Sequence, residues 1–208
     1  TALVDPEGTL TYGQLWRLSA AAAGLLSVAT SSPRIGIMLP AVKEFAPVCY
    51  GALMAGKCIV PLNFLMTPAE IRALVEDAGL DAVVTSRALL EKLPPMDLPF
   101  LYVEDAAQHL KLAALASPSE ATLARAMSLP PETPAVIIYT AGTGGDPKGV
   151  VLTHRNLLAN TDACVQALDL DEHCTLLASL PFFHVFGLTT GLLMPMGFGA
   201  TAVMLPKF

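Results

Sequence analysis

Tyr139-Thr140-Ala141-Gly142-Thr143-Gly144-Gly145-Asp146-Pro147-Lys148-Gly149-Val150-Val151-Leu152 is the stretch that decides how this chain is read. An apolar run, Ala135 to Thr140, leads in and is expected to be a strand. With Thr140 included, the loop holds four glycines, two threonines and one lysine before Val150-Val151-Leu152 returns as a second strand. Glycines let backbone N–H groups turn inward and approach an anion closely. Thr140 and Thr143 add hydroxyl donors, and Lys148 adds a point charge suited to phosphate. The loop is not the G-x-x-x-x-G-K-[ST] loop that runs into a helix, because Pro147 precedes the lysine and Gly149 follows it. It reads as a hairpin tip. From composition alone, a polyphosphate cradle and an ordinary glycine-rich hairpin with a surface lysine explain it equally well.

Upstream, apolar strands alternate with helices. Thr11 and Gln14 form a capping-box pattern, and Tyr12, Leu15, Trp16, Ser19, Ala23 and Leu26 share one helical face. Arg34 to Leu39 is an apolar strand. Val42 to Ala55 is a helix stopped by Gly56, and Cys58 to Leu62 is a second strand. Thr67-Pro68-Ala69-Glu70 opens the clearest helix, with Thr67 as cap and Pro68 in the first turn. Further strands are expected at Ala82 to Thr85 and Phe100 to Val103, with a short helix at Arg87 to Leu93 between them. Glu104 to Pro134 is less regular. Thr153 caps a helix whose face is Leu157, Leu158, Thr161, Cys164, Val165 and Leu168. This alternation, with strands apolar on both sides, implies an α/β fold: a doubly wound, mostly parallel sheet flanked by helices.

Composition excludes other classes. Of 208 residues, 53% are hydrophobic and only 14% are charged, which argues against disorder. The net charge is -6, and no Lys/Arg run offers a nucleic-acid surface. Cys49, Cys58, Cys164 and Cys174 are far apart and read as reduced thiols of a cytoplasmic protein. His109, His154, His173 and His184 show no ligand spacing with one another. Thr175 to Pro206 lacks any charged residue, but its prolines and glycines break it into strand, loop, helix and strand, so no membrane span is expected.

The loop closely resembles the phosphate-binding loop of the adenylate-forming superfamily: acyl- and aryl-CoA synthetases, luciferases and peptide-synthetase adenylation domains, whose usual form is Y-T-S-G-T-T-G-x-P-K-G-V. Ala141 stands where the family usually has serine, and Gly144 where it usually has the second threonine. Both changes remove hydroxyl donors and leave the backbone N–H groups, so weaker ATP affinity is expected, by about 1.5–3 kcal/mol for each hydrogen bond lost to a charged group. Leu180-Pro181-Phe182-Phe183-His184-Val185-Phe186-Gly187-Leu188 resembles the family's next motif, P-x-F-H-x-x-G. Its His-x-Phe-Gly form is closer to CoA synthetases and fatty-acyl-AMP ligases than to peptide synthetases. Ala2 to Asp5 with Leu10 to Leu15, Gly51 to Gly56 and Val60 to Asn63 resemble the family's opening segments.

The resemblance implies an ATP-dependent acid–thiol ligase that forms an acyl-adenylate, with ATP and Mg²⁺ as cofactors and CoA or another thiol as acceptor. Thr140, Ala141, Gly142, Thr143, Gly144, Gly145 and Lys148 would hold the nucleotide, with Thr140 offered to Mg²⁺. His184 would act at the reacting centre, and Phe186, Gly187 and Leu188 would border a small-molecule carboxylic acid, acyl or aryl. Leu188, Leu192, Leu193 and Met194 lean toward a fatty acyl chain, though helix-core packing explains them as well. Residues 34–170 would form one lobe; 1–33 and 175–208 would belong to a second α/β lobe left unfinished. The chain is thus expected to be the N-terminal part of such an enzyme, binding nucleotide weakly or not at all, without turnover, and self-associating through its unfinished lobe. A non-catalytic nucleotide- or acyl-binding module, an adenylation domain of a peptide or polyketide synthetase, and a purely structural α/β domain remain the alternatives.

Overall fold

The computed structural model describes residues 1–113, 119–140 and 148–205. In chain order the elements are β1 (Leu3–Asp5), β2 (Gly8–Leu10), α1 (Tyr12–Ala29), β3 (Arg34–Ile37), α2 (Phe45–Met54), β4 (Cys58–Pro61), α3 (Pro68–Asp77) and β5 (Val83–Thr85). Then come α4 (Arg87–Leu90), β6 (Phe100–Tyr102), α5 (Val103–Ala113), α6 (Glu120–Ser128), β7 (Pro134–Thr140), β8 (Lys148–Thr153) and α7 (His154–Leu168). The chain continues through β9 (Thr175–Ala178), α8 (Val185–Leu188), a π-helical turn (Thr189–Leu193), α9 (Met194–Phe198) and β10 (Thr201–Met204).

Among the described residues the strands form two sheets, a six-stranded one ordered β6-β5-β3-β4-β7-β8 and a four-stranded one ordered β2-β1-β10-β9. In the larger sheet every neighbouring pair is parallel except β7–β8, which is an antiparallel hairpin. Side chains of its strands alternate between two apolar clusters, as the period of a strand requires. Ile35, Ile37, Ile59, Val84, Val136 and Ile138 enter the cluster built with α2. Met38, Val60, Val83 and Ile137 enter the one built with α3. The sheet is therefore covered by helices on both faces, the doubly wound arrangement expected from the alternating pattern. The first of these clusters also takes in Leu3, Ala178, Ala202 and Met204 from the smaller sheet. Helix α1 packs against α2, and the Tyr12 hydroxyl donates to the Ala200 carbonyl at 2.5 Å, joining α1 to the turn before β10.

The two expected capping boxes form, at Thr11/Gln14 and Thr67/Glu70, and Pro68 sits at the start of α3; Thr153 caps α7 as expected, and Asn156 completes a third capping box there that the sequence reading does not include. Other expectations need correction. The stretch from Glu104 to Pro134 holds two helices, α5 and α6, the second capped by Ser119, whose hydroxyl oxygen accepts from the Thr122 N–H. Helix α2 starts at Phe45 and not at Val42, because the residues before it turn to bring Lys43 to Asp5, 3.1 Å away. On α7, Thr161 is buried but Leu158 and Leu168 are 60% and 64% exposed, so the apolar face is narrower than the spacing suggests. Trp16 on α1 is likewise half exposed. No described helix is long and apolar enough to cross a membrane.

Candidate functional site: the β7–β8 hairpin and the His184 turn

β7 and β8 pair with Tyr139 opposite Gly149 and Thr140 opposite Lys148. Thr140 and Lys148 thus close the base of the glycine-rich loop from its two sides, and both are exposed. Ala141, Gly142, Thr143, Gly144 and Gly145 lie outside the described residues. A hydroxyl and an ammonium placed on facing ends of a hairpin, both open to solvent, suit a polyanion that enters from outside.

The base of the loop is fixed by contacts that the sequence does not announce. The Tyr139 hydroxyl donates to Asp77 Oδ2 at the end of α3. Burial, with that bond to a carboxylate, raises the Tyr139 pKa above the usual phenol value. Gly149 lies against the same ring: a Cβ at this position would stand 3.0 Å from Ile137 Cγ2 and 3.2 Å from Tyr139 Cζ.

The second motif follows β9. Phe182 is fully buried and its ring meets Phe45 of α2 edge-on, with centroids 4.9 Å apart. Phe183 meets Phe64 at 5.3 Å with the rings nearly perpendicular. Phe64 follows the C-terminal end of β4, and β4 runs parallel to β7, so the Phe64 segment and the glycine-rich loop leave the sheet from the same end. The His184 turn is held at that end. His184 itself is exposed and caps α8: its Nδ1 accepts from the Phe186 N–H at 3.3 Å. Accepting there leaves Nε2 as the N–H position of the neutral ring, a donor on an exposed side chain. Phe186 is 57% exposed, whereas Gly187 and Leu188 are buried. Only glycine fits at 187, since a Cβ would lie 2.3 Å from the Pro181 carbonyl oxygen. Among the described residues no hydrogen bond joins His184 to Thr140 or Lys148.

No group of three or more His, Cys, Asp or Glu side chains gathers for a metal ion among the described residues. Of the groups that suit Mg²⁺, Thr140 offers a hydroxyl oxygen here. The four cysteines are free thiols, Cys49 and Cys58 buried and Cys164 and Cys174 half-buried.

A doubly wound parallel sheet whose exposed hairpin carries Y-T-A-G-T-G-G-D-P-K-G, beside a P-F-F-H turn, defines an adenylate-forming type of protein. The chain belongs to the AMP-binding enzyme family, whose model matches residues 1–208. It is 35% identical over its whole length to the 4-coumarate–CoA ligase-like 4 of Oryza sativa subsp. japonica, covering 41% of that protein. It is 34% identical to the sulfoacetate–CoA ligase of Cupriavidus necator, again over its whole length and covering 39% of that protein. Its fold superposes on the inhibitor-bound N-terminal domain of FACL13 from Mycobacterium tuberculosis with a TM-score of 0.84 and 27% identity, covering 100% of this chain and 53% of that one. ATP-bound MatB from Rhodopseudomonas palustris gives 0.80 and 25%, covering 100% of this chain and 42% of that one. The chain spans about two fifths of the length of these curated relatives.

Proposed function

We propose that this chain is the ATP-binding part of an acid–thiol ligase that activates a carboxylic acid as its acyl-adenylate. In the first half-reaction the carboxylate oxygen attacks the α-phosphorus of ATP; the acyl-adenylate forms and pyrophosphate leaves. A thiol, of CoA or of a carrier, then displaces AMP. Thr140 and Lys148, with the amides of Gly142, Thr143, Gly144 and Gly145 and of Ala141, hold the β- and γ-phosphates. The Thr140 hydroxyl would be offered to Mg²⁺ bound with the nucleotide, and the ion would supply charge neutralisation of the phosphates. Positioning and charge neutralisation are the main catalytic demands of such a transfer. His184 presents its Nε2 N–H to the reacting centre, and Phe186, Gly187 and Leu188 border the acid.

The observation that carries this reading is the register that sets Thr140 opposite Lys148 at the open end of the hairpin. The relatives' names support an acid–CoA ligase over a peptide-synthetase adenylation domain, and so does the His-x-Phe-Gly form. Without the hydroxyls at 141 and 144 the nucleotide is held weakly, and the chain by itself turns nothing over. Its exposed Leu158, Leu168 and Leu177 favour self-association, which light scattering at working concentration checks; a monomer would count against it.

The test is titration with Mg-ATP, following the amide resonances of Thr140 and Lys148. Saturable shifts that Lys148→Ala weakens are expected, and binding unchanged by Lys148→Ala would refute the reading. Pyrophosphate exchange with a panel of fatty and aromatic acids should show no turnover by this chain alone.

A further inference from the structure

We propose that Tyr139 is a positioning residue: anchored by Asp77 and backed by Gly149, its ring fixes the register that sets Thr140 against Lys148. The inference rests on the nucleotide-binding reading above and assigns a task to residues that reading leaves idle.

The β7–β8 hairpin forms the rim of the larger sheet, and β8 is largely exposed from Lys148 to Val151. Its ladder is irregular at the far end, where the register shifts between Pro134 and Val136. A bulge of this kind marks a place where pairing can differ by one residue, and a one-residue slip carries every side chain of the strand to the opposite face. Such a slip would separate Thr140 from Lys148. Something near the loop must therefore hold the pairing.

Tyr139 is placed to do so. It stands one residue before Thr140 and opposite Gly149, one residue after Lys148. Its hydroxyl is tied to α3 through Asp77. Among the described residues, this is the only side-chain hydrogen bond from the loop-proximal end of either strand to another element. Gly149 supplies the matching half. With no side chain it leaves the tyrosine ring in close contact with the neighbouring backbone, and any Cβ there would press on Ile137 and on the ring itself. A shifted register would bring Lys148 or Val150 to that position, and each carries a Cβ that would crowd Ile137 and the ring. The ring thus favours the register in which glycine faces it.

The test is a double-mutant cycle read through Mg-ATP affinity on this chain, by titration of the Thr140 and Lys148 amide resonances. Tyr139→Phe keeps the ring and removes the anchor; Asp77→Ala removes the acceptor; Asp77→Asn keeps an accepting oxygen. Tyr139→Phe and Asp77→Ala should each weaken Mg-ATP roughly three- to tenfold, the double variant no further, and Asp77→Asn should bind close to the wild type. Inorganic pyrophosphate should lose affinity by the same factor, while thermal midpoints stay close to that of the wild type. Wild-type affinity in Tyr139→Phe, in a protein whose Lys148→Ala variant is weakened, would overturn the positioning role and leave the nucleotide reading standing. So would additive effects of the two substitutions. Unchanged affinity in Lys148→Ala would remove the nucleotide reading and this inference with it.

Discussion

Phe182 lies edge-on against Phe45, centroids 4.9 Å apart and planes at 65°, and both side chains are essentially sealed from solvent. One ring comes from the turn after β9 in the smaller sheet, the other from the first turn of α2 on the larger. The contact therefore joins the two sheets' chain segments at a point two residues before His184. Deleting the Phe182 ring should leave a cavity that this close packing cannot refill. Phe182→Ala is expected to destabilise the fold by about 3–5 kcal/mol, as buried aromatic truncations do, and Phe182→Leu by less. Urea denaturation monitored by circular dichroism measures both, and a loss under ~1 kcal/mol for the alanine variant would mean that the contact does not hold the turn.

Two glycines that look alike in sequence should respond oppositely to alanine. At Gly187 the added methyl carbon would sit 2.3 Å from the Pro181 carbonyl oxygen, a backbone atom that cannot swing aside. At Gly24, within α1, nothing lies within 4 Å of that carbon. Gly24→Ala should stabilise by up to about 1 kcal/mol through helix propensity. Gly187→Ala should destabilise and displace the His184 ring resonances. Thermal melts with imidazole proton spectra distinguish the outcomes; equal midpoints for the two variants would contradict the close approach at 187.

Much of this architecture is legible in the sequence because local chemistry and global fold agree there. Thr67-Pro68-Ala69-Glu70 specifies a helix start through hydrogen bonds that span only three residues, and the structure forms them. Val136, Ile137 and Ile138 are apolar on both sides of a strand covered on both faces. The hairpin reading follows from a strand, glycines and a returning apolar run. By contrast, α5 and α6 are amphipathic, but no side chain described on α6 is fully buried: Leu123 and Ala126, one helical turn apart, pack only partly buried against α1 and α2, a short apolar signal that is easily passed over. The Tyr139–Asp77 bond and the Phe64–Phe183 pair join residues far apart in sequence. Nothing in the local pattern names such partners, and only the strand order brings them together.

The capping box of α3 should lend the protein a measurable acid sensitivity. Glu70 accepts from the Thr67 N–H at 2.8 Å and from its hydroxyl at 2.7 Å, and these bonds hold its carboxyl below the usual carboxylate range. A folded-state pKa depressed in this way stabilises above the unfolded carboxylate value, and the stabilisation is lost as pH falls through the folded value. Glu70→Gln keeps an acceptor without the charge. The wild type should melt higher than Glu70→Gln near neutral pH, and the gap should close as pH drops below about 4. Melts between neutrality and pH 3 check this, and a gap that widens on acidification would reverse the sign of the argument.

The four thiols should divide by burial rather than by sequence neighbourhood. Burial pushes the Cys49 thiol up to about 12 and the Cys58 thiol up to about 11, so neither supplies thiolate near neutrality. Both are also closed off by the core around α2 and β4. Cys164 on α7 and Cys174 before β9 are half-buried and reachable. The thiolate is the reactive form, so alkylation at pH 8 should modify Cys164 and Cys174 first and reach Cys49 and Cys58 only after unfolding. Iodoacetamide labelling followed by peptide mass mapping reads this directly. Rapid modification of Cys49 in the folded chain would mean that α2 opens far more readily than its packing against α1 allows.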